Sequence, residues 1–263
     1  MRQSTFTIIS KVPIEKEHEG IQDGVNDAYS VRGNFVAREN NPGSPYLIPN
    51  EIISGNVAQF LKLPIPPFGL MRQIGAHKGY KTMFASMRFT RRDSEPDDFA
   101  PEACFECMPD LCTGIILFDI LIANEDRHSQ NIQTNSATRP TIIRIIDHDR
   151  SLLGVFKRNG LQRLKKLEGR LGISGGAVTG GNRHCLIDHV TTTEHFSKWL
   201  TRIEAIPDWF IEETCLNITK FGATLHELAE VAQFLKNRKR SIHKIINDNI
   251  SEFTRISERS LIL

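Results

Sequence analysis

Apolar positions change their spacing several times along the chain, and each change predicts an element. Residues 28–31 (AYSV) and 34–37 (NFVA) read as short strands on either side of Gly33-Asn34, a pair suited to a tight hairpin turn. From 49 to 62 the period becomes helical, with Ile53, Val57, Phe60 and Leu61 on one stripe and Pro49 in the first turn. The LPIPP run at 63–67 stops that helix, because proline has no backbone N–H and its ring clashes with the preceding turn. Residues 68–73 and 82–89 read as two further strands. The chain from 1 to 90 thus predicts a small sheet with one helix.

The pattern then lapses. RRDSEPDDFAP at 91–101 is polar and proline-containing, and 91–103 reads as a hinge between residues 1–90 and 104–263. A helix is expected over 109–122, where Leu111, Ile115, Phe118 and Ile122 share a stripe. A polar loop at 124–131, a strand near Ile132, a turn at 136–140 and a strand at 141–146 follow. The remainder reads as mostly helical. Its clearest element is 225–246, with Leu225, Leu228, Ala232, Leu235, Ile242 and Ile245 on one face. The glycine-rich stretch 172–182 reads as a flexible loop.

Composition narrows the class without naming a function. Of 263 residues, 40% are apolar and 24% charged, which excludes a disordered tail or a coiled-coil rod. Lys plus Arg total 33 against 31 Asp plus Glu, and the net charge of +2 gives no electrostatic argument for nucleic acid or a membrane surface as partner. No run approaches the ~20 apolar residues a membrane helix needs. The longest, 114–123, contains Asp119. The opening MRQSTFTIIS lacks an export signal's apolar core and cleavage site, and five cysteines without framework spacing suit reduced thiols. A cytoplasmic globular protein is the expectation.

Chemistry concentrates in two segments, Asn124-Glu125-Asp126-Arg127-His128-Ser129-Gln130-Asn131 and Ile146-Asp147-His148-Asp149. Phosphoryl transfer from ATP needs one carboxylate to orient the attacking hydroxyl and two oxygen-bearing side chains to hold Mg²⁺. Asp126 and Asn131 stand on a loop after an apolar helix, and Asp147 ends a strand that returns beside that loop. This order of helix, loop, hairpin and Asp is the order in which a protein kinase assembles its base and metal ligands. Asp-Arg-His-x-x-Asn is expected in roughly one chain in a thousand at average composition. The plainer alternative is that these residues cap turns and end a strand.

On these residues the chain resembles the HipA-like kinases, in the short form without an N-terminal accessory domain. Their Asn-x-Asp-Arg-His-x-x-Asn loop is matched by residues 124–131 and their Ile-Asp-His segment by 146–148. Phosphoinositide lipid kinases share the Asp-Arg-His-x-x-Asn loop. Asn50-Glu51 through Leu63-Pro64-Ile65-Pro66 resembles the family's Glu-bearing helix and following turn, and Phe84-Ala85-Ser86 its strand near the hinge. Ile206-Pro207-Asp208-Trp209, with the 225–246 helix, resembles its C-terminal helical part.

The resemblance implies a two-lobed α+β protein-kinase-like fold, with a small β-rich N-lobe and a larger, mainly helical C-lobe. It implies Asp126 as catalytic base, Asn131 and Asp147 as Mg²⁺ ligands, and Arg127 with His128 as braces of the loop. It further implies ATP and Mg²⁺ as cofactors and a γ-phosphate passed to a Ser/Thr hydroxyl of an unknown protein substrate. The setting it implies is bacterial or phage and toxin-like, with lipid or small-molecule hydroxyls left open.

The chain departs from the family in two places. Where the family carries a strand Lys that contacts phosphates and pairs with the helix Glu, there is no Lys between Lys16 and Lys62. Arg38 stands there, with Glu51 as its expected partner. Arginine keeps the charge but presents a bulkier planar fork. The alternative function is therefore a catalytically impaired pseudokinase, acting as a nucleotide-binding interaction module. No Gly-x-Gly-x-x-Gly or Walker loop exists. The 23–28 turn with Asn26 takes that place, and its amides either cradle a phosphate or simply close a hairpin.

Other signals read as structural. Cys104, Cys107 and Cys112, with His184, Cys185 and His189 further on, fall short of a closed four-ligand zinc pattern. The basic run 157–170 and KNRKR at 236–240 read as solvated helix faces, and Trp199 and Trp209 as packing residues.

Overall fold

The computed structural model of the chain describes residues 20–21, 28–29, 34–74, 80–88, 99–156, 159–173 and 183–256. Its N-terminal part holds two antiparallel sheets. Strands β1 (Gly20–Ile21) and β2 (Ala28–Tyr29) pair with each other. Strands β3 (Phe35–Arg38), β4 (Phe68–Ile74) and β5 (Tyr80–Met87) form a second sheet in the order β3-β5-β4. Arg38 lies opposite Phe84 in that register.

The expected hairpin between 28–31 and 34–37 is not among the described pairings. β2 pairs with β1, while β3 runs along β5 for its full length. Alternation along a strand says which face is apolar and not which neighbour supplies the ladder.

Helix α1 (Leu47–Phe60) packs against both β5 and the C-terminal helix α6 (Asp208–Leu216). Eleven of its fourteen residues are buried, Asn50, Glu51 and Ser54 among them. The single apolar stripe read from sequence thus understates its burial, because it is covered from two sides. Its start is pinned by Asn40, whose Nδ2 donates to Phe221 O at 2.7 Å while its Oδ1 accepts from Ile48 N–H at 2.9 Å. The Tyr46 hydroxyl donates to Glu227, which also closes the capping box of helix α7 (Leu225–Asp248) with Thr224. The pinning requires glycine at 222. That residue is left-handed, with φ of 107°, and a Cβ there would collide with Asn40 and the Pro45 carbonyl.

The larger part is helical. It contains α2 (Pro101–Cys107), α3 (Pro109–Ile122), α4 (Gly160–Leu167), α5 (Phe196–Glu204), α6 and α7 (Leu225–Asp248), with one short hairpin, β6 (Ile132–Thr134) and β7 (Ile143–Ile145). Of the expected hinge, 91–98 lie outside the described residues and α2 opens at Pro101. Helix α3 is the centre of the core. It is buried from Cys112 to Ile122 and covered by α5 and α7. Gly114 is what lets α5 approach, since a Cβ there would run into the Trp199 indole.

Several surface expectations fail here. KNRKR does not simply face water, because Arg238 and Lys239 are buried. Arg238 donates to Ile120 O, to Leu167 O at 2.8 Å and to Leu171 O at 2.9 Å. Burial and nearby Arg163 push its guanidinium down to about 9, which still leaves it charged at neutral pH. Arg238 thereby ties α7 to the last turn of α3 and to the end of α4 and the residues after it. Conversely, Trp209 is 63% exposed and Leu225, at the first turn of α7, lies beyond the core. No helix among the described residues is long and apolar enough to cross a membrane.

Candidate active site

The site is built at the C-terminal end of α3. Ala123 turns left-handed at φ 50° and the Asn124 N–H bonds back to Asp119 O at 2.9 Å, which ends the helix and starts the polar loop. A one-turn 3₁₀ segment, Ser129–Asn131, then feeds β6. Pairing of Ile132 with Ile145, and the Ile146 N–H to Asn131 O bond at 3.1 Å, set Asn131 beside the start of the 146–149 segment. Asp147 follows in the left-handed region, φ 61°, a conformation that Asp adopts at less cost than most residues.

A fully buried cluster holds the loop from below. Arg127 Nε and Nη2 grip the Asp119 carboxylate at 2.8 and 3.0 Å, while its Nη1 donates to Asn131 O at 3.0 Å and Ile146 O at 2.6 Å. Asn124 Nδ2 and His184 Nε2 complete the Asp119 oxygens, each at 3.0 Å. Burial alone would raise the Asp119 carboxyl, but Arg127 and His184 hold it well below the usual range. One guanidinium thereby joins α3, the loop and the hairpin. His128, named beside Arg127 as a brace, lies outside this buried cluster, its Nε2 3.8 Å from Asp126 Oδ2.

Above the loop lies a second cluster. Arg38 Nη2 pairs with Glu51 Oε1, and its Nη1 stands 2.8 Å from Asp147 Oδ1. That second contact is an ion contact off the hydrogen-bond line, since Asp147 Oδ1 has no directed partner although it is buried. Burial opposes the charge on Arg38, yet Glu51 and Asp147 raise its pKa on balance. Burial likewise works against the Asp147 carboxylate, and Arg38 nevertheless holds its pKa down. Glu51 also meets His148 Nδ1 at 3.2 Å. Burial and the neighbouring Asp147 push the Asp149 carboxyl up to about 7.

Asp126 lies at the loop's edge, with Arg150 Nε 3.3 Å from its Oδ2. Asn131 Nδ2 donates to Asp126 O at 2.9 Å, which leaves the amide oxygen as an acceptor. The structure thus brings Arg38, Glu51 and Asp147 into direct contact and joins Asp126 to Asn131. Asn26 lies outside the described residues.

A frame of polar contacts ties α1 and the loop's start to the 149–154 segment. Asn50 Nδ2 donates to Asp149 O at 2.6 Å and Gly154 O at 3.1 Å, and the Ser54 and Ser151 hydroxyls meet at 2.9 Å. Arg163 donates to Ala123 O at 2.8 Å, Glu125 Oε2 at 2.9 Å, Arg150 O at 3.0 Å and Leu152 O. Sequence reasoning passed over Asp119, His184, Asp149, Arg150 and Arg163. For Asp119 a signal existed, because one carboxylate inside a ten-residue apolar run must find a buried partner. Arg163 lay hidden in a basic run whose Lys165 and Lys166 are indeed exposed. Burial raises the Cys104 thiol to about 11, away from the thiolate that a metal would take.

No family model matches the chain, and no curated protein matches it. Among solved structures, it is similar to one described as a Helicobacter pylori proinflammatory kinase, CtkA. The TM-score is 0.55 at 17% sequence identity, over 92% of this chain and 98% of that one. The fold is that of a kinase. It has two lobes, the sheet with α1 forming the smaller and the helices α2–α7 with the β6–β7 hairpin the larger. The Arg38 cluster joins β3 and α1 of the smaller lobe to Asp147 of the larger, and the Arg127 cluster lies within the larger lobe.

Proposed function

We propose that the protein is an ATP- and Mg²⁺-dependent phosphotransferase that passes the γ-phosphate to a hydroxyl, most directly a protein Ser or Thr. The observation that carries this reading is the meeting of β3, α1 and the β7 exit at Arg38, Glu51 and Asp147, beside the Asp126–Asn131 loop. In this reading Asp126 accepts the acceptor hydroxyl's proton. The Asn131 amide oxygen and Asp147 would hold the metal ion, which supplies charge neutralisation across the phosphates. The donor set fits, since both are hard oxygens and the buried Asp147 Oδ1 lacks a directed hydrogen bond. Arg38, with Glu51 behind it, would reach the nucleotide phosphates. A toxin-like role in a cytoplasm is part of this proposal through the resemblance alone.

One observation favours a second reading. Arg38 already engages Asp147, the carboxylate the metal needs. A chain that holds nucleotide without turning it over would look the same. Mass spectrometry after incubation with Mg-ATP and candidate substrates separates the two. The kinase reading expects a phosphate added to this chain or to a substrate, and an Asp126→Asn variant slowed at least about a hundredfold with nucleotide binding retained. Nucleotide-dependent thermal stabilisation with no phosphate transferred would establish the module instead.

A further inference from the structure

Arg150 has a fixed backbone and an uncommitted side chain. Its carbonyl is held by Arg163 Nη2 at 3.0 Å, and the same guanidinium holds Ala123 O and Glu125 at the start of the Asp126 loop. The Arg163 side chain is only 12% exposed, so the stem of Arg150 rides on the frame that carries the proposed base. The side chain is 39% exposed, and its only ion pair among the described residues is the Nε contact to Asp126 Oδ2 at 3.3 Å.

The charges of the cleft give this position a meaning. Its carboxylates are Glu51, Asp126, Asp147 and Asp149, and its described cations are Arg38 and Arg150. Arg38 is taken up by Glu51 and Asp147. The one arginine of the 124–131 loop, Arg127, is wholly buried on Asp119. A phosphoryl group moving toward an acceptor beside Asp126 brings negative charge against that carboxylate, and a guanidinium fork is the group that can meet both.

We infer that Arg150 is a catalytic residue, whose guanidinium swings from Asp126 to the oxygens of the γ-phosphoryl group and neutralises the charge carried across in transfer. This rests on the kinase reading above. In the step it serves, the bond from acceptor oxygen to phosphorus forms and the bond from phosphorus to the β–γ bridging oxygen breaks. The bridging electron pair leaves with ADP, and the acceptor proton passes to Asp126. With Arg150 drawn onto the phosphoryl oxygens, the Asp126 carboxylate is released for that proton.

The test is calorimetric titration of the full chain, in Mg²⁺, with ADP and with a β,γ-imido ATP analogue, for wild type, Arg150→Ala and Arg150→Lys. Arg150→Ala should leave ADP affinity unchanged and weaken the analogue roughly tenfold or more, since the lost contact is a charge-assisted one to the γ-phosphate alone. Arg150→Lys should recover part of the loss, and the transfer rate should fall further than analogue affinity. Equal weakening of ADP and analogue, or no change in either affinity or rate, would overturn the assignment while leaving the kinase reading in place. If wild type binds neither ligand, the kinase reading falls and Arg150's role with it.

Discussion

Two arginine–carboxylate clusters hold the 146–149 segment, one from below at the Ile146 carbonyl and one from above at the Asp147 carboxylate, and they are built to opposite ends. Below it, Arg127, Asp119 and His184 are wholly buried and every polar atom of the Asp119 carboxylate is matched. Above it, Arg38 is 30% and Asp147 32% exposed, and Asp147 Oδ1 has an ion contact without a directed hydrogen bond. The first arrangement cannot change without unfolding the loop. The second is where, in the proposed function, a metal ion and a phosphate would take the place of protein partners. Geometry that must not move is made from buried, saturated charge, and chemistry is left to charge that is half wet and incompletely bonded.

Removing one arginine from each cluster should break the symmetry most sharply. Arg127→Ala strands the Asp119 carboxylate in the core and leaves Asn131 O and Ile146 O without their donor. A loss of about 3–5 kcal/mol is expected in urea unfolding, a large part of a domain's whole stability. Arg38→Ala removes a partly exposed cation from the buried Glu51, which keeps its contact to His148, and should cost less, about 1–2 kcal/mol. Similar costs for the two variants would show that the clusters are energetically alike and would remove the contrast.

The same contrast explains what the sequence disclosed. The strands, α1, α3, the hairpin and α7 follow from periodicity and proline stops, and the Asp126–Asn131 loop and Asp147 stand out by spacing. Arg38 and Glu51 were paired through the family resemblance, and the structure places them in contact. The supporting cluster was far less legible. His184 lies 65 positions from Asp119, and nothing local to its segment marks it as a partner. Arg163 and Arg238 lie in runs that look solvated, because lysine neighbours outnumber them and periodicity counts charge as outward-facing. The partner of β3 was missed for the related reason that strand pairing is a long-range choice.

A pH experiment sharpens the lower cluster and predicts a smaller effect. Leu186 N–H donates to His184 Nδ1 at 3.2 Å, so that nitrogen carries no proton and the ring is neutral, with Nε2–H donating to Asp119 Oδ2. Burial lowers its pKa in spite of Asp119, with Arg127 and Arg183 adding to the decrease. The unfolded chain therefore binds a proton that the folded chain refuses below an ordinary histidine value near ~6.5. Stability from this group is complete above that pH and declines as pH falls, by at most about 1.4 kcal/mol per unit. Asp119 adds a second decline once pH drops below its ordinary range near ~4, because its folded pKa is depressed. Urea midpoints from pH 8 to pH 5 should fall more steeply for wild type than for His184→Gln. Parallel profiles would mean that the ring binds its proton equally well in the folded and the unfolded chain.

The smallest change is reserved for the upper cluster, where Arg38→Lys probes whether its loose bonding is used. A guanidinium spans Glu51 on one nitrogen and Asp147 on another. An ammonium is one point charge on a shorter reach and cannot satisfy both with the same geometry. Glu51 is the buried partner and keeps a second contact to His148, so Lys should stay with it and let Asp147 go. Stability should move by less than about 1 kcal/mol, since Arg38 is partly solvated and its charge is preserved. Freed from its cation, Asp147 should take Mg²⁺ more readily. A magnesium titration of the melting temperature with nucleotide present should then reach its midpoint at lower metal concentration in Arg38→Lys than in wild type. Phosphate transfer should be equal or faster, because the charge on the nucleotide side survives. If the variant instead needs more magnesium, the Arg38–Asp147 contact helps to build the metal site and does not compete with it. The upper cluster would then be a fixed support like the lower one, and the division between them would lie elsewhere, at Asp126 and Arg150.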